Sequence, residues 1–460
     1  KRYIHLTTVH MSSTVSVSVD QIKSFRESFA NDPHAKIGQN CLHRTSIKDL
    51  TVNQSVLQST DVNVFSHKLD GWGVTNQKKS GRCWLFAMLN LLKRDTAKKL
   101  NIKEFEFSQS FIQFYDKLER SNHFLEAMIE TSDVDIDRTI DYLLKIPIGD
   151  GGQWSMAVNI INKHGLVPAS IYPESDSSGG TLAMNNVLKD VLRTAACELR
   201  RQRQHDNASL DTLREYKAQK MANIWKILAM HLGTPPETFS WNYLDSKSEH
   251  QQLPEMTPLS FVEEYVDPAF KSYVCLVNDP RNDYLQTYTV DYLQSVVGAP
   301  AVIYLNLPAE DIKRITQRQI EDGRAVWMGC DVGKQCDRST GIWDQNMYEM
   351  QAFYGVTYGM DKASRLKYHQ TLMTHAMLFT GVDLGADGSP RKWRVENSWG
   401  ESSGKKGFYT MNDNWFDEHM FEIAAPASYL TEEMTAALEK SPVMLPAWDP
   451  MGSLALEEGW

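Results

Sequence analysis

The sequence predicts an α+β protein of two lobes, one helical and one built on an antiparallel sheet or barrel, with a large, mostly helical insertion. Three observations carry this. Leu85, Met88, Leu89 and Leu92 recur at helical spacing directly after the turn-prone stretch Gln77-Lys78-Lys79-Ser80-Gly81. Met221, Ile224, Trp225 and Leu228 form a second amphipathic stripe, which Gly233-Thr234-Pro235-Pro236 stops. Later the pattern changes to short β-prone segments, 301–305, 325–328, 376–380, 392–395 and 407–410, separated by turn residues.

In chain order, 1–60 reads as a leader and helical segment. Lys1, Arg2, His5 and His10 come with several Ser and Thr, and no acid precedes Asp20. That suits a mitochondrial-type leader, or residues upstream of a start at Met11, and is too weakly hydrophobic for a secretory signal. Residues 61–175 form the helical lobe: Cys83 falls in the first turn of a buried helix. Ser108 can cap a second helix through Arg120, with Ile112, Tyr115 and Leu118 near one face. The insertion occupies 176–265, where nothing between 181 and 232 suggests strands. The β-rich lobe covers 266–440, and 441–460 is a C-terminal arm. No internal repeat or low-complexity run appears.

With 42% hydrophobic and 23% charged residues the composition is that of an ordinary globular chain, and no run approaches the roughly 18 apolar residues of a membrane helix. No membrane partner is expected. A net charge of −10 argues against nucleic-acid binding, and the one basic stretch, Arg193, Arg200, Arg201 and Arg203, reads as a solvated helix face. The 6 cysteines are scattered, so a reducing compartment, the cytoplasm, is expected.

Amide hydrolysis by a thiol needs a thiolate, a proton donor for the leaving amine, and hydrogen-bond donors where the carbonyl oxygen becomes negative. Cys83 at a helix start meets the first need, because the dipole and a nearby imidazolium lower a thiol's pKa. A lone cysteine on a helix is more often a small buried hydrophobe. The base must come from far away in sequence: Thr374-His375-Ala376 opens a predicted strand, and Glu396-Asn397-Ser398-Trp399-Gly400 follows another. Either segment alone could be an ordinary strand start or turn; their joint occurrence in the order Cys, His, Asn is the stronger signal.

Gln77-Lys78-Lys79-Ser80-Gly81-Arg82-Cys83-Trp84 resembles the active-site segment of papain-like cysteine peptidases. The resemblance implies Cys83 as nucleophile, His375 as base, Asn397 as the residue orienting the histidine, and Gln77 with the Cys83 N–H as oxyanion hole. Trp399 would shield the His375–Asn397 hydrogen bond from water. Asp150-Gly151-Gly152-Gln153-Trp154 is similar to the family's Gly-Gly segment, so Gly151 and Gly152 are expected to line the cleft where a substrate backbone pairs. Secreted relatives carry a disulfide whose two positions here are Ser80 and Gly149, which fits reducing surroundings.

Cys83 and His375 lie about 290 positions apart, against roughly 130–150 in the simple papain layout, so something of domain size is inserted. Thr75-Asn-Gln-Lys-Lys-Ser-Gly-Arg-Cys-Trp-Leu-Phe86, Leu372-Met-Thr-His-Ala-Met377, Arg394-Val-Glu-Asn-Ser-Trp-Gly400 and Leu445-Pro-Ala-Trp-Asp-Pro-Met-Gly452 together resemble the bleomycin hydrolase/aminopeptidase C family. So do Pro235-Pro-Glu-Thr-Phe239 and Val277-Asn-Asp-Pro-Arg281. This implies a homohexamer with active sites on an internal channel, the insertion serving oligomerisation. Each C-terminal arm would lie in its own cleft, so that peptides and amides with a free N-terminus, bleomycin and homocysteine thiolactone among them, enter by that end. A carboxylate ending the arm would attract the substrate's ammonium. Leu456 takes the place of the family's last residue and is carried over as substrate-binding; Glu457-Glu458-Gly459-Trp460 departs from the pattern.

Two alternatives use the same chain differently: an endopeptidase with an open cleft, which the arm argues against, and a nucleic-acid-binding oligomer, which the acidic balance argues against. Gly400-Glu-Ser-Ser-Gly-Lys-Lys406 has the wrong spacing for a P-loop, and Cys330 and Cys336 have no second pair for zinc. No cofactor or metal is indicated.

Overall fold

The computed structural model describes residues 16–453 except residue 72, in two compact units. The leader expected in residues 1–10 and Leu456 lie outside the described residues. The smaller unit takes residues up to 59 together with 346–359. Its first helix, Val19–Asn31, opens on a Ser18–Gln21 capping box; its second, Pro33–Leu42, is capped by Asp32 with Pro33 in the first turn. Neither helix buries a residue, and Ile22, Phe25, Phe29 and Ile37 are exposed.

The larger unit is built on a sheet of 12 strands. At its centre His375–Leu384 pairs antiparallel with Val326–Cys330 on one side and Pro390–Glu396 on the other, with His375 opposite Cys330. The strand is buried almost throughout, which explains its continuous apolar run where a half-exposed strand would alternate. The sheet is not antiparallel throughout, as the sequence suggested: Tyr273–Val277 runs parallel to Tyr304–Asn306, Phe408–Asn412 to Ile342–Trp343, and Val443–Leu445 to Gln286–Val290. Long connections, including the helix Ala309–Glu321, make such pairings reachable.

Cys83–Lys99 buries ten of its residues, Cys83 to Asn90 without a break, as expected of a helix apolar on most faces. Trp327 Nε1 on the central sheet donates to Trp84 O at 3.1 Å, fixing this helix's start against the strands. Ser108 caps Gln109–Glu130 through the Phe111 N–H, and the helix runs well past Arg120. Against it pack Leu182–Gln204 and Leu210–Leu232, through Leu188, Leu192, Leu199, Ile224 and Leu228 around Phe114, Phe124 and Met128. Gly233, at φ +88°, ends the last helix in a conformation disfavoured for residues with a Cβ.

Within 176–265 the structure also places a hairpin, Phe239–Leu244 with His250–Met256. Its second strand is mostly polar and carries Pro254, which hides it from a hydrophobicity-based reading. The basic stretch is not simply solvated: Arg193 bonds Leu144 O and Lys145 O, Arg200 bonds Thr131 O, and Arg201 pairs with Glu198 and Asp206. After Val443–Leu445 the chain makes a turn at Pro450–Gly452 and reaches Ser453. Arg281 anchors this approach by pairing with both Asp279 (2.7 Å) and Asp449 (2.8 Å).

Candidate active site

The structure brings Cys83 and His375 to the walls of one cavity of about 10 Å³, room for about one water, lined also by Gly152, Trp327, Met373 and Ser453. Cys83 is the first residue of its helix. Arg82 at the cap makes no side-chain cap bond, so the N–H groups of Cys83 and Trp84 face the thiol, and Ala376 N–H donates to Sγ at 3.4 Å. These donors favour a thiolate, but burial outweighs them and pushes the thiol up to about 11.

His375 Nε2 lies 2.8 Å from Asn397 Oδ1, which also accepts the Ser398 N–H at 2.7 Å. The second contact identifies the oxygen of the amide, and an oxygen that only accepts makes Nε2 the protonated nitrogen. Nδ1 is then the basic nitrogen of the neutral ring. Burial pulls the imidazole down to about 4, helped by the positive charge of Arg338 and opposed by the bond to Asn397. Trp399 packs beside the ring at 5.1 Å between centroids, tilted by 32°.

Gln77 is buried and clamped. Its Oε1 accepts from Ser398 Oγ at 2.6 Å, its Nε2 donates to Ser80 O at 2.5 Å, and its N–H donates to Ser398 O at 2.9 Å. An amide NH₂ has two hydrogens, so one stays available for an oxyanion. The turn is held by Arg82, 1% exposed, which grips Glu174 with both guanidinium nitrogens (2.8 and 2.7 Å) and Ser80 Oγ with Nε.

Gly152 has a reason the sequence did not supply: a Cβ there would sit 2.6 Å from the Trp84 indole, whose Nε1 donates to Asp150 O at 2.7 Å. Gly151 accepts from Arg120 through its carbonyl and borders a larger cavity. The residue before them, Asp150, is a buried hub, pairing with Lys117 Nζ (2.5 Å) and accepting from Gly81 N–H, Asn185 and Thr181. These bonds hold its carboxyl well below the usual range despite burial. Asp150, Lys117, Ser398 and Arg82 escaped sequence reasoning as site-building residues. Asp150, Ser398 and Arg82 had one signal, their position beside motif residues; Lys117, in the middle of Gln109–Glu130, had none.

Ser453 O accepts from Gln153 Nε2 at 3.1 Å, and Met451 O accepts from Tyr304 Oη at 3.2 Å, so the C-terminal segment runs to the cavity lined by Cys83 and His375. Among the described residues no group of three or more His, Cys, Asp or Glu could hold a metal ion, and no helix is long and apolar enough to cross a membrane. None of the six cysteines is joined in a disulfide.

A helix-borne thiol, a strand-borne imidazole and an amide orienting it, on a helical and a sheet lobe, define a cysteine peptidase of the papain-like two-lobed fold. The comparisons agree. A model of the Peptidase C1-like family matches residues 16–452. The chain is 40% identical over 455 residues to bleomycin hydrolase of Homo sapiens, covering 96% of this chain and 100% of that one. It is 39% identical over 448 residues to aminopeptidase C of Listeria innocua, with the same coverage. The crystal structure of pepw from Lactobacillus rhamnosis HN001 superimposes with a TM-score of 0.92 at 37% identity, covering 96% of this chain and 100% of that one. The chain belongs to the bleomycin hydrolase/aminopeptidase C family.

Proposed function

We propose that the chain is an aminopeptidase that removes N-terminal residues from peptides and related amides, and that the same thiol transfers two further acyl groups to water, the amide of bleomycin and the thioester of homocysteine thiolactone. The observation that carries this is Ser453, held by Gln153 on the wall of the cavity shared by Cys83 and His375. A segment seated there, ending the described chain at Ser453, restricts the space on its side of the scissile bond. In the reaction, Cys83 Sγ bonds to the substrate carbonyl carbon while the oxygen takes up negative charge facing Gln77 Nε2 and the Cys83 N–H. His375, holding the proton taken from Cys83, gives it to the leaving amine as the C–N bond breaks; a water that His375 deprotonates then bonds to the thioester carbonyl carbon, the C–S bond breaks, and the proton returns to the sulfur. Asn397 keeps the ring in register, and Trp399 keeps water from their bond.

The exposed apolar face of Val19–Asn31 supports the further reading that copies of the chain associate, as a homohexamer. Six cysteines with no disulfide among them support a reducing, cytoplasmic setting. The test compares an amino-acid amide with a fluorescent leaving group against its N-acetylated twin under reducing conditions, with Cys83→Ala as blank. Cleavage of the free amine alone, lost in the variant, is expected. Equal cleavage of both would make this an open-cleft endopeptidase.

A further inference from the structure

Arg338 stands in the short turn between Cys336–Asp337 and Ile342–Trp343. It is exposed, and its guanidinium lies 4.4 Å above the Trp399 ring. Among the described residues it makes no salt bridge or side-chain hydrogen bond; the neighbouring Asp337 is turned to Ser339 and Thr340. Stacking on an indole occupies the face of a guanidinium and leaves the N–H groups at its edge, which are the ones that bind a carboxylate in pairs.

The position of this cation matters. The C-terminal segment reaches Cys83 by way of Gly152 and Gln153, whereas Trp399 lies on the Asn397 side of His375. If the segment limits the acyl side, the leaving portion must depart along Trp399. Two contacts, 5.1 Å from His375 to Trp399 and 4.4 Å from Trp399 to Arg338, separate the base from the guanidinium. About three extended residues span that path at most. The effect of Arg338's charge on His375 is consistent with such proximity.

We propose that Arg338, seated on Trp399, is a specificity-determining residue that receives a carboxylate carried by the leaving portion of the substrate. The inference rests on the aminopeptidase reading for the direction of the substrate. The carboxylate has two sources, the α-carboxylate of a short peptide or an acidic side chain just after the cleaved bond. The shared chemistry is a planar anion meeting a planar, preorganised cation at a solvent-exposed rim, where such a pair shifts selectivity by about fivefold.

The experiment measures kcat/KM for leucyl-alanine against leucyl-alaninamide, and for leucyl-aspartyl amide against leucyl-asparaginyl amide, in the full chain and in Arg338→Met and Arg338→Lys. Ratios are the readout, so a general loss of activity cancels. At least one acid-to-neutral ratio near fivefold is expected, falling to about one in Arg338→Met, partly kept in Arg338→Lys and shrinking with added salt. The first pair reports the α-carboxylate and the second the side chain. The same four compounds are titrated calorimetrically into Cys83→Ala with and without Arg338→Met. If nothing is cleaved but binding keeps an Arg338-dependent preference, the aminopeptidase reading falls and the carboxylate site stands. Ratios that Arg338→Met leaves unchanged, in turnover and in binding, overturn the proposal.

Discussion

Glu422 presents a buried acid whose cost can be worked from the structure. It sits on Met420–Pro426 in the middle of the sheet, opposite Val277 and Gly329, with no exposure. Neither carboxyl oxygen finds a hydrogen-bond partner of good geometry among the described residues; the Cys275 thiol is the one group that eases its charge. Burial therefore raises it to about 8. An unfolded chain ionises glutamate near 4.3, and each unit of difference is worth about 1.4 kcal/mol, so ionising this group in the native state costs on the order of 5 kcal/mol.

The sign follows from proton counting. Between about pH 4.3 and pH 8 the unfolded chain has released a proton that the native chain still holds, so stability falls as pH rises through that window. Glu422→Gln removes the ionisation from both states. Its melting temperature relative to the parent should climb from pH 5 to pH 8. About 1 kcal/mol of that cost is already expressed at pH 5, leaving about 3.5 kcal/mol across the window; a chain of 460 residues has an unfolding entropy of about 1 kcal/mol/K, so the climb should be about 3.5 °C by scanning calorimetry. Any fixed penalty of the buried amide shifts both ends equally, and Glu396, itself raised to about 7, is common to both proteins and cancels. Parallel melting curves across the window would refute the reasoning.

Two substitutions address the site. Asn397→Ala removes the acceptor of both the His375 Nε2–H and the Ser398 N–H, and should lower kcat about 100-fold while KM stays within about threefold; a change confined to KM would count against an orienting role. Gly152→Ala places a methyl group 2.6 Å from an indole that cannot retreat without losing its bond to Asp150 O, so kcat/KM should fall at least about 100-fold in a folded protein, and near-parental turnover would show that the segment yields freely.

The sequence-legible parts were those with local periodicity or a compact motif. The Cys83 helix begins at Cys83 because the turn before it ends at Gly81 and the apolar stripe follows at once. His375 could be named because it opens a buried strand with a strong apolar run, whereas the strand before Asn397 is mostly charged and Asn397 was legible through the Asn-Ser-Trp-Gly segment and the order Cys, His, Asn. The strands Tyr273–Val277, Gln286–Val290 and Met420–Pro426 were not singled out, since their pairing depends on partners far along the chain and Met420–Pro426 carries a buried glutamate. Asp150 was visible only as a residue beside two glycines. Its role comes from Lys117, Thr181 and Asn185, whose convergence no local pattern encodes.

Taken singly, the shifts of Cys83 and His375 oppose the thiol reaction, since each buried group resists its own charge. Each shift describes one charge made alone. Moving the proton from Sγ to the imidazole creates both charges together, and two opposite charges lining one small cavity stabilise each other more strongly where water is scarce. The fixed partners then decide the balance: the helix-start N–H groups and Ala376 N–H face the sulfur, and Asn397 Oδ1 holds the ring's other proton. Burial disfavours a lone thiolate or a lone imidazolium and leaves the ion pair as the accessible charged state. The same desolvation that raises the thiol thus suppresses side reactions of a free thiolate, while proton transfer within the pair remains open when a carbonyl arrives.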